Sequence, residues 1–284
     1  MQVLLTGASG FIGRHIHAAL LAAGHTVKPA SRSHGIDFSR HTRVEQWAPL
    51  LVGVDAVINA VGIIAETKGQ TFDHLHTDAP VALFQAARAA GITRIIQLSA
   101  LGADDTAFSA YHLSKRAADD ALRAMDVDWF VLRPSLVYGP GGSSTAMFAL
   151  MARLPLTPLL GGGRQLVQPV HVSDVVATVI RALDSPLARQ TLDVVGPEAM
   201  SFAAWLDCLR HAMGKGALRQ LPVPVWMGLA GAYLLSPLVP LMQPDNIRML
   251  VAGNHAAADG LTAFLGRPPR PPEQALLQAM LAGA

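Results

Sequence analysis

Tyr111 and Lys115 stand four residues apart in Tyr111-His112-Leu113-Ser114-Lys115, within a stretch that reads as a helix to about Met125. Positions i and i+4 share one helical face, so the phenol and the ammonium point the same way. A neighbouring ammonium favours the phenolate and would bring a tyrosine down from its usual value of about 10. Such a phenol can exchange a proton with a substrate oxygen. With three tyrosines and four lysines in 284 residues, chance supplies this spacing only about 0.04 times. A plain helical Tyr–Lys contact is the alternative.

A second constellation opens the chain: Val3-Leu4-Leu5-Thr6-Gly7-Ala8-Ser9-Gly10-Phe11-Ile12-Gly13-Arg14. Val3–Leu5 reads as a buried parallel strand, and Phe11–Ala23 as an amphipathic helix with Ile12, Ile16 and Leu20 recurring four apart. Strand, glycine turn and helix form the start of a dinucleotide-binding βαβ unit. Gly7 permits the tight turn, Gly10 lets the backbone approach a pyrophosphate, and Gly13 lets the helix pack close on the sheet. The helix N-terminus offers N–H groups and partial positive charge to the phosphates, with Ser9, Phe11, Ile12 and Arg14 around it. With a nicotinamide cofactor bound there, proton exchange at Tyr111 would accompany hydride transfer, and Lys115 could also hold the ribose.

The end of the second strand, Thr26–Ala30, selects the cofactor. An acidic residue there meets the ribose 2′-hydroxyl of NAD, whereas an arginine accommodates the 2′-phosphate of NADP. Here Lys28-Pro29-Ala30-Ser31-Arg32-Ser33 follows, and no acidic residue occurs from Arg14 to Ile36. Arg32 can pair bidentately with a phosphate, Ser31 and Ser33 can donate to it, and Arg14 can close over it. The residues favour NADP(H) over NAD(H). Solvated loop cations with NAD bound without the acid are the alternative, and Asp37 reaching the ribose would restore NAD.

Other elements must carry these groups. A short third strand is expected before Asp37, then a helix over Thr42–Leu51 and a buried strand within Gly53–Gly62. A helix around Asp78–Ala90 and a fifth strand, Thr93–Ala100, come next. Leu98 and Ser99 end that strand, where open parallel sheets bind ligands. A sixth strand covers Asp128–Leu132. The pattern predicts an α/β fold: a Rossmann-type doubly wound parallel sheet over residues 1–197, with a smaller, mainly helical C-terminal lobe over 198–284 to which 141–164 could contribute. His74 and His76 would point to different faces of a helix and read as surface histidines. No metal site is expected.

Hydrophobic residues make up 51% of the chain and charged ones 15%, which is ample for a sizeable core. The formal charge of +2 is spread without a basic tract, which argues against nucleic acid as a partner. The single cysteine, Cys208, excludes a disulfide framework and fits a reducing compartment. Met1-Gln2 leads straight into the first strand with no signal peptide ahead of it, so a cytoplasmic location is expected. Mean hydropathy is +0.34, and much of the excess lies in Leu221–Met242. Gln220 to Pro244 holds no charged residue, but Pro222, Pro224, Pro237 and Pro240 cut it. Its uninterrupted piece, Val225–Ser236, falls short of the roughly 20 residues a bilayer span needs. It reads as core or pocket wall first and as membrane-peripheral contact second. The stiff, proline-rich linker Gly266–Pro272 leads to a final helix, Glu273–Leu281.

Thr6-Gly7-Ala8-Ser9-Gly10-Phe11-Ile12-Gly13 with the later Tyr111-x-x-x-Lys115 resembles the short-chain dehydrogenase/reductase superfamily, especially its extended and atypical members. The resemblance implies Tyr111 as acid/base, Lys115 as its tuner and Ser99 as partner of the substrate carbonyl. It also implies that Asp37-Phe38 cradles adenine and that Asn59-Ala60-Val61-Gly62 passes the adenosine ribose. Arg133 to Gly141 resembles the segment bordering the nicotinamide, which adds Pro134, Leu136 and Val137 to the cofactor set. His171-Val172-Ser173-Asp174 resembles another family segment, with His171 as a packing residue and Ser173 or Asp174 capping the helix Val175–Leu183. Two departures stand out: Ala100 replaces a second hydroxyl residue, and His76 occupies about the place of a family asparagine. The chain looks most like the group related to the nucleotide-binding accessory subunit of respiratory complex I, and its layout also resembles nucleotide-sugar epimerases. The resemblance implies an NADP(H)-dependent oxidoreductase acting on an apolar carbonyl compound. Its alternatives are a non-catalytic nucleotide-binding sensor or assembly module with membrane or respiratory-complex contact, then a nucleotide-sugar epimerase or dehydratase. Relatives often dimerise through the helices containing Asp78–Ala90 and Tyr111–Met125, so a homodimer stays open.

Overall fold

The computed structural model describes residues 1–235 and 243–282. The part of the apolar Leu221–Met242 segment beyond residue 235 lies outside the described residues. Two compact units divide the chain: Met1–Arg133 with Val176–Leu192, and Pro134–Val175 with Asp193–Ala284. The single boundary expected at 197/198 is therefore replaced by three crossings. A helix, Val172–Asp184, and a strand, Gln190–Val194, bring the chain back to the first unit before it leaves again.

The first unit is built on five parallel strands: β1 (Gln2–Thr6), β2 (Thr26–Ala30), β3 (Ala56–Asn59), β4 (Arg94–Leu98) and β5 (Asp128–Pro134). With Gln190–Val194 at one edge, the sheet order is Gln190–Val194, β5, β4, β3, β1, β2. Its helices include α1 (Phe11–Ala22), α2 (Val44–Trp47), α3 (Ala79–Ala89) and α4 (Ala110–Arg123). Alternation along a strand sends side chains to opposite faces. Leu4, Val57, Ile95 and Val131 share one buried cluster with Leu83 and Ala86 of α3 and Ala118 and Leu122 of α4. Leu5, Ile58 and Ile96, on the other face, are equally buried. A sheet covered on both sides is what near-continuous apolar strands require.

Three local expectations are corrected. No further strand forms between β2 and Asp37. Gly35 adopts φ 77°, and the Asp37 carboxylate accepts from the Ser39 backbone N–H, so short 3₁₀ turns occupy Arg32–His34 and Phe38–Arg40. The helix expected over Thr42–Leu51 is only α2 followed by a 3₁₀ turn, Ala48–Leu50, into which Pro49 fits. Ahead of α3 the chain forms a π-helical turn, Asp73–Asp78, that carries Leu75 and His76 inside.

The second unit has its own core of Tyr138, Phe148, Leu159, Phe202, Trp205, Leu206, Leu209, Leu277 and Met280. It comprises helices at Ser143–Arg153, Phe202–Ala212, Val225–Leu235, Pro244–Ala252, Asp259–Leu265 and Gln274–Ala282, with short two-stranded pairs between them. His171 is buried edge-on against Tyr138, as its packing role predicts. Ser173 and Asp174 lie inside the first turn of Val172–Asp184 and not ahead of it. The Asp174 carboxylate instead accepts from Arg267 Nη2 at 2.6 Å and from the Arg270 backbone N–H at 2.8 Å. No described helix is long and apolar enough to cross a membrane.

Candidate active site

The turn between β1 and α1 leaves no room for a side chain at Gly7 or Gly13. Gly7 has φ 70°, and a Cβ there would lie 2.6 Å from the Ala60 carbonyl oxygen. A Cβ at Gly13 would lie 2.0 Å from the Gly7 carbonyl oxygen, so α1 can start only against a bare backbone. Gly10, at the N-cap, supplies no side-chain cap, and the first turn of α1 contains no acidic residue. Ser9 and Gly10 are exposed. The turn thus fits a pyrophosphate: N–H groups, partial positive charge and no competing carboxylate. Ala60 and Val61 form the opposite wall of Gly7. The Arg14 guanidinium lies 5.7 Å from the centroid of the Phe11 ring, at the start of the helix.

At the end of β2, Ser31 is buried, and its hydroxyl meets Ser33 Oγ at 2.8 Å and His34 Nδ1 at 2.7 Å. Arg32 is exposed beside them. Asp37 is occupied: its carboxylate accepts from the Ser39 hydroxyl at 2.8 Å and the Ser39 N–H at 3.1 Å. The Ser39 hydroxyl, then the Ser39 N–H and the nearby Arg40 and Arg32 charges, hold the Asp37 carboxyl below its usual range against the opposing effect of burial. Phe38 is buried in the core, edge-on to Trp47 with centroids 5.0 Å apart.

Ser109 caps α4 by accepting the His112 N–H, which sets Tyr111 in the first turn and Lys115 in the second. Lys115 is 3% exposed, and its Nζ donates to the Val61 carbonyl at 2.9 Å and the Leu98 carbonyl at 3.0 Å. It is thereby fixed beyond the C-terminal ends of β3 and β4. A Cβ on Gly62 would come within 3.1 Å of that Nζ, so the bare backbone at this position admits the ammonium. Ser99 is buried directly after β4, and its hydroxyl donates to the fully buried Asp119 carboxylate on α4.

Tyr111 departs from one expectation. Burial, and then the Asp119 charge, push its phenol up to about 12. The lowering expected from Lys115 does not appear, because burial and the Asp119 charge both act in the opposite direction. Burial shifts Lys115 toward losing its proton while Asp119 opposes that shift.

His76 is the residue that sequence reasoning missed. It is not on the surface but fully buried, stacked on Phe72 (centroids 5.2 Å apart) and edge-on to Tyr111 (5.5 Å). The Ile63 N–H donates to Nε2 at 3.0 Å, so the ring proton sits on Nδ1 and points to Ser114 Oγ at 3.0 Å. Ser114 in turn donates to the Tyr111 carbonyl at 2.9 Å. Burial, then Lys115, depress His76 to about 2, so it is a neutral wall of the site. His74, by contrast, is exposed.

The first unit therefore gathers Gly7, Gly13, Ala60, Val61, Gly62, Leu98, Ser99, Tyr111 and Lys115 around the ends of β1, β3 and β4. Pro134, Leu136 and Val137 belong to the second unit, where the Leu136 carbonyl accepts from the Val170 N–H at 2.9 Å and Val137 pairs with Val170. Among the described residues, no group of three or more His, Cys, Asp or Glu could hold a metal.

Comparison with known proteins agrees with this fold. The model of the NAD dependent epimerase/dehydratase family matches residues 3–195. Ceramide reductase of Caulobacter vibrioides is 33% identical over 236 residues, covering 78% of this chain and 74% of that protein. Mouse (Mus musculus) NADH dehydrogenase [ubiquinone] 1 alpha subcomplex subunit 9 is 26% identical over 267 residues, covering 86% of this chain and 70% of that protein. The crystal structure of human epimerase family protein SDR39U1 with NADPH superposes with a TM-score of 0.79 at 20% identity, over the whole of both chains. The glycine turn, the parallel sheet and the family match agree: the chain belongs to the NAD dependent epimerase/dehydratase family.

Proposed function

We propose that the protein is an NADP(H)-dependent oxidoreductase that reduces a carbonyl on an apolar, lipid-like substrate. The observation that carries this reading is the placement of Lys115 Nζ between the Val61 and Leu98 carbonyls, with Tyr111 one turn before it on α4. That puts an acid and a fixed cation at the strand ends beside the glycine turn. When bound, NADP(H) supplies the hydride. Tyr111, holding its proton firmly, gives it to the carbonyl oxygen as that oxygen becomes an alcohol. Lys115 orients the ribose side of the site. Arg32, Ser31, Ser33 and Arg14 favour a 2′-phosphate, and Asp37 is turned to Ser39 instead of a ribose.

The similarity to a ceramide reductase supports a substrate of lipid character. The helix Val225–Leu235 consists of apolar and small residues, and it leaves Trp226, Met227, Tyr233 and Leu234 exposed. With no charge between residues 220 and 244, this surface suits a bilayer interface, where Trp and Tyr are favoured. A cytoplasmic, membrane-peripheral enzyme is the resulting picture.

The test is NADPH oxidation with a long-chain lipid ketone. Tyr111→Phe should lower kcat by about 10²- to 10⁴-fold with NADPH affinity unchanged. Undiminished turnover in that variant would end the mechanism. A second reading, a nucleotide-binding assembly module, draws on the similarity to the mouse respiratory subunit. Nucleotide binding without turnover on any lipid carbonyl, together with co-purification in a membrane assembly, would favour it.

A further inference from the structure

An ammonium buried as deeply as Lys115 loses its charge unless a counter-charge answers it. The Val61 and Leu98 carbonyls take two of its three protons but bring no net charge. Two acidic side chains are buried among the described residues, Asp119 and Asp174. Asp174 belongs to the second unit and is met by Arg267 at 2.6 Å. Asp119 lies four residues beyond Lys115, on the buried face of α4 formed by Lys115, Ala118, Asp119 and Leu122. The other cation acting on it among the described residues, Arg123, is drawn to Asp120 at 2.8 Å and to Thr191.

Asp119 is also tied to the sheet. Ser99 donates to it from the end of β4. Behind Ser99 a buried polar row crosses three strands in register, Thr6 opposite Asn59 and Asn59 opposite Gln97. Thr6 Oγ1 donates to Asn59 Oδ1 at 2.6 Å, and Asn59 Nδ2 to Gln97 Oε1 at 2.7 Å. The row starts at the residue before Gly7 and ends beside the Tyr111–Lys115 pair.

We propose that Asp119 is a positioning residue of the Tyr111–Lys115 pair: it fixes the Ser99 hydroxyl and supplies the counter-charge that keeps Lys115 an ammonium. This rests on the reductase reading for its purpose but not for its test. It has a consequence for Ser99. A hydroxyl whose proton goes to Asp119 cannot give the same proton to a substrate oxygen, so polarising the carbonyl falls to Tyr111.

The test is NMR titration of the full chain carrying ¹³C-labelled lysines, with the Lys115 signal identified by its loss in Lys115→Met. Asp119→Asn should move the Lys115 titration down by about one pH unit or more. Ser99→Ala, which keeps the carboxylate but removes its donor, should move it the same way by less. A folded Asp119→Asn protein with an unmoved Lys115 titration would overturn the proposal. Where Asp119→Asn does not fold, an unmoved Lys115 in Ser99→Ala would do the same. Neither readout needs a substrate, so absence of turnover would sink the reductase reading and leave this result standing.

Discussion

The His76 imidazole meets the Tyr111 ring edge-on, with centroids 5.5 Å apart and planes at 81°. The contact sets a fully buried, neutral ring against the proposed acid, and its polar atoms are satisfied by Ile63 and Ser114. His76 thus shapes the pocket around the phenol without exchanging protons itself.

A pH dependence follows. His76 titrates near 6.5 when unfolded and is depressed to about 2 in the folded protein. Between those values the unfolded chain binds the extra proton. The stability His76 contributes is therefore fully present above pH 6.5 and is lost as pH falls, by about 1.4 kcal/mol per pH unit. Urea unfolding at pH 7.5 and 5.5 measures it. The loss between those two values should be about 1.4 kcal/mol smaller in His76→Gln than in the wild-type protein. Parallel profiles would show that His76 is not buried neutral.

Membrane contact through Val225–Leu235 is open to a direct check. Trp226 and Leu234 are 70% and 77% exposed, so replacing them costs little packing in the free protein. Each large apolar side chain transferred from water is worth about 1.5–3 kcal/mol. Trp226→Ser with Leu234→Ser should weaken sedimentation with phospholipid vesicles at least about tenfold and leave NADPH affinity alone. Equal sedimentation of both proteins would assign this helix to another role.

The glycine turn and the Tyr111–Lys115 pair are legible in the sequence because their meaning is local: a fixed spacing on a strand–turn–helix or on one helical face. The strands around them read correctly for the same reason. His76 was illegible because the π-helical turn Asp73–Asp78 decides its direction, and nothing in ordinary helical periodicity announces such a turn. Asp119 belongs to no local motif, and its burial follows only from the packing of its helix on the sheet. Its one signal was its position on the face shared by Lys115, Ala118 and Leu122. The Tyr111 shift ran opposite to expectation because spacing gives the Tyr–Lys separation but not the burial that dominates it. The strand expected before Asp37 failed on Gly35 and on the Asp37–Ser39 turn, both short-range features that outweigh a weak apolar run.

The most direct measurement is a side-by-side titration of NADPH and NADH against the wild-type protein and Arg32→Ala. Charged hydrogen bonds to a phosphate are worth about 1.5–3 kcal/mol. NADPH should bind the wild-type protein more tightly than NADH, and Arg32→Ala should weaken NADPH by about 10- to 100-fold with NADH nearly unchanged. Tighter NADH binding, or binding of neither nucleotide, would contradict the account.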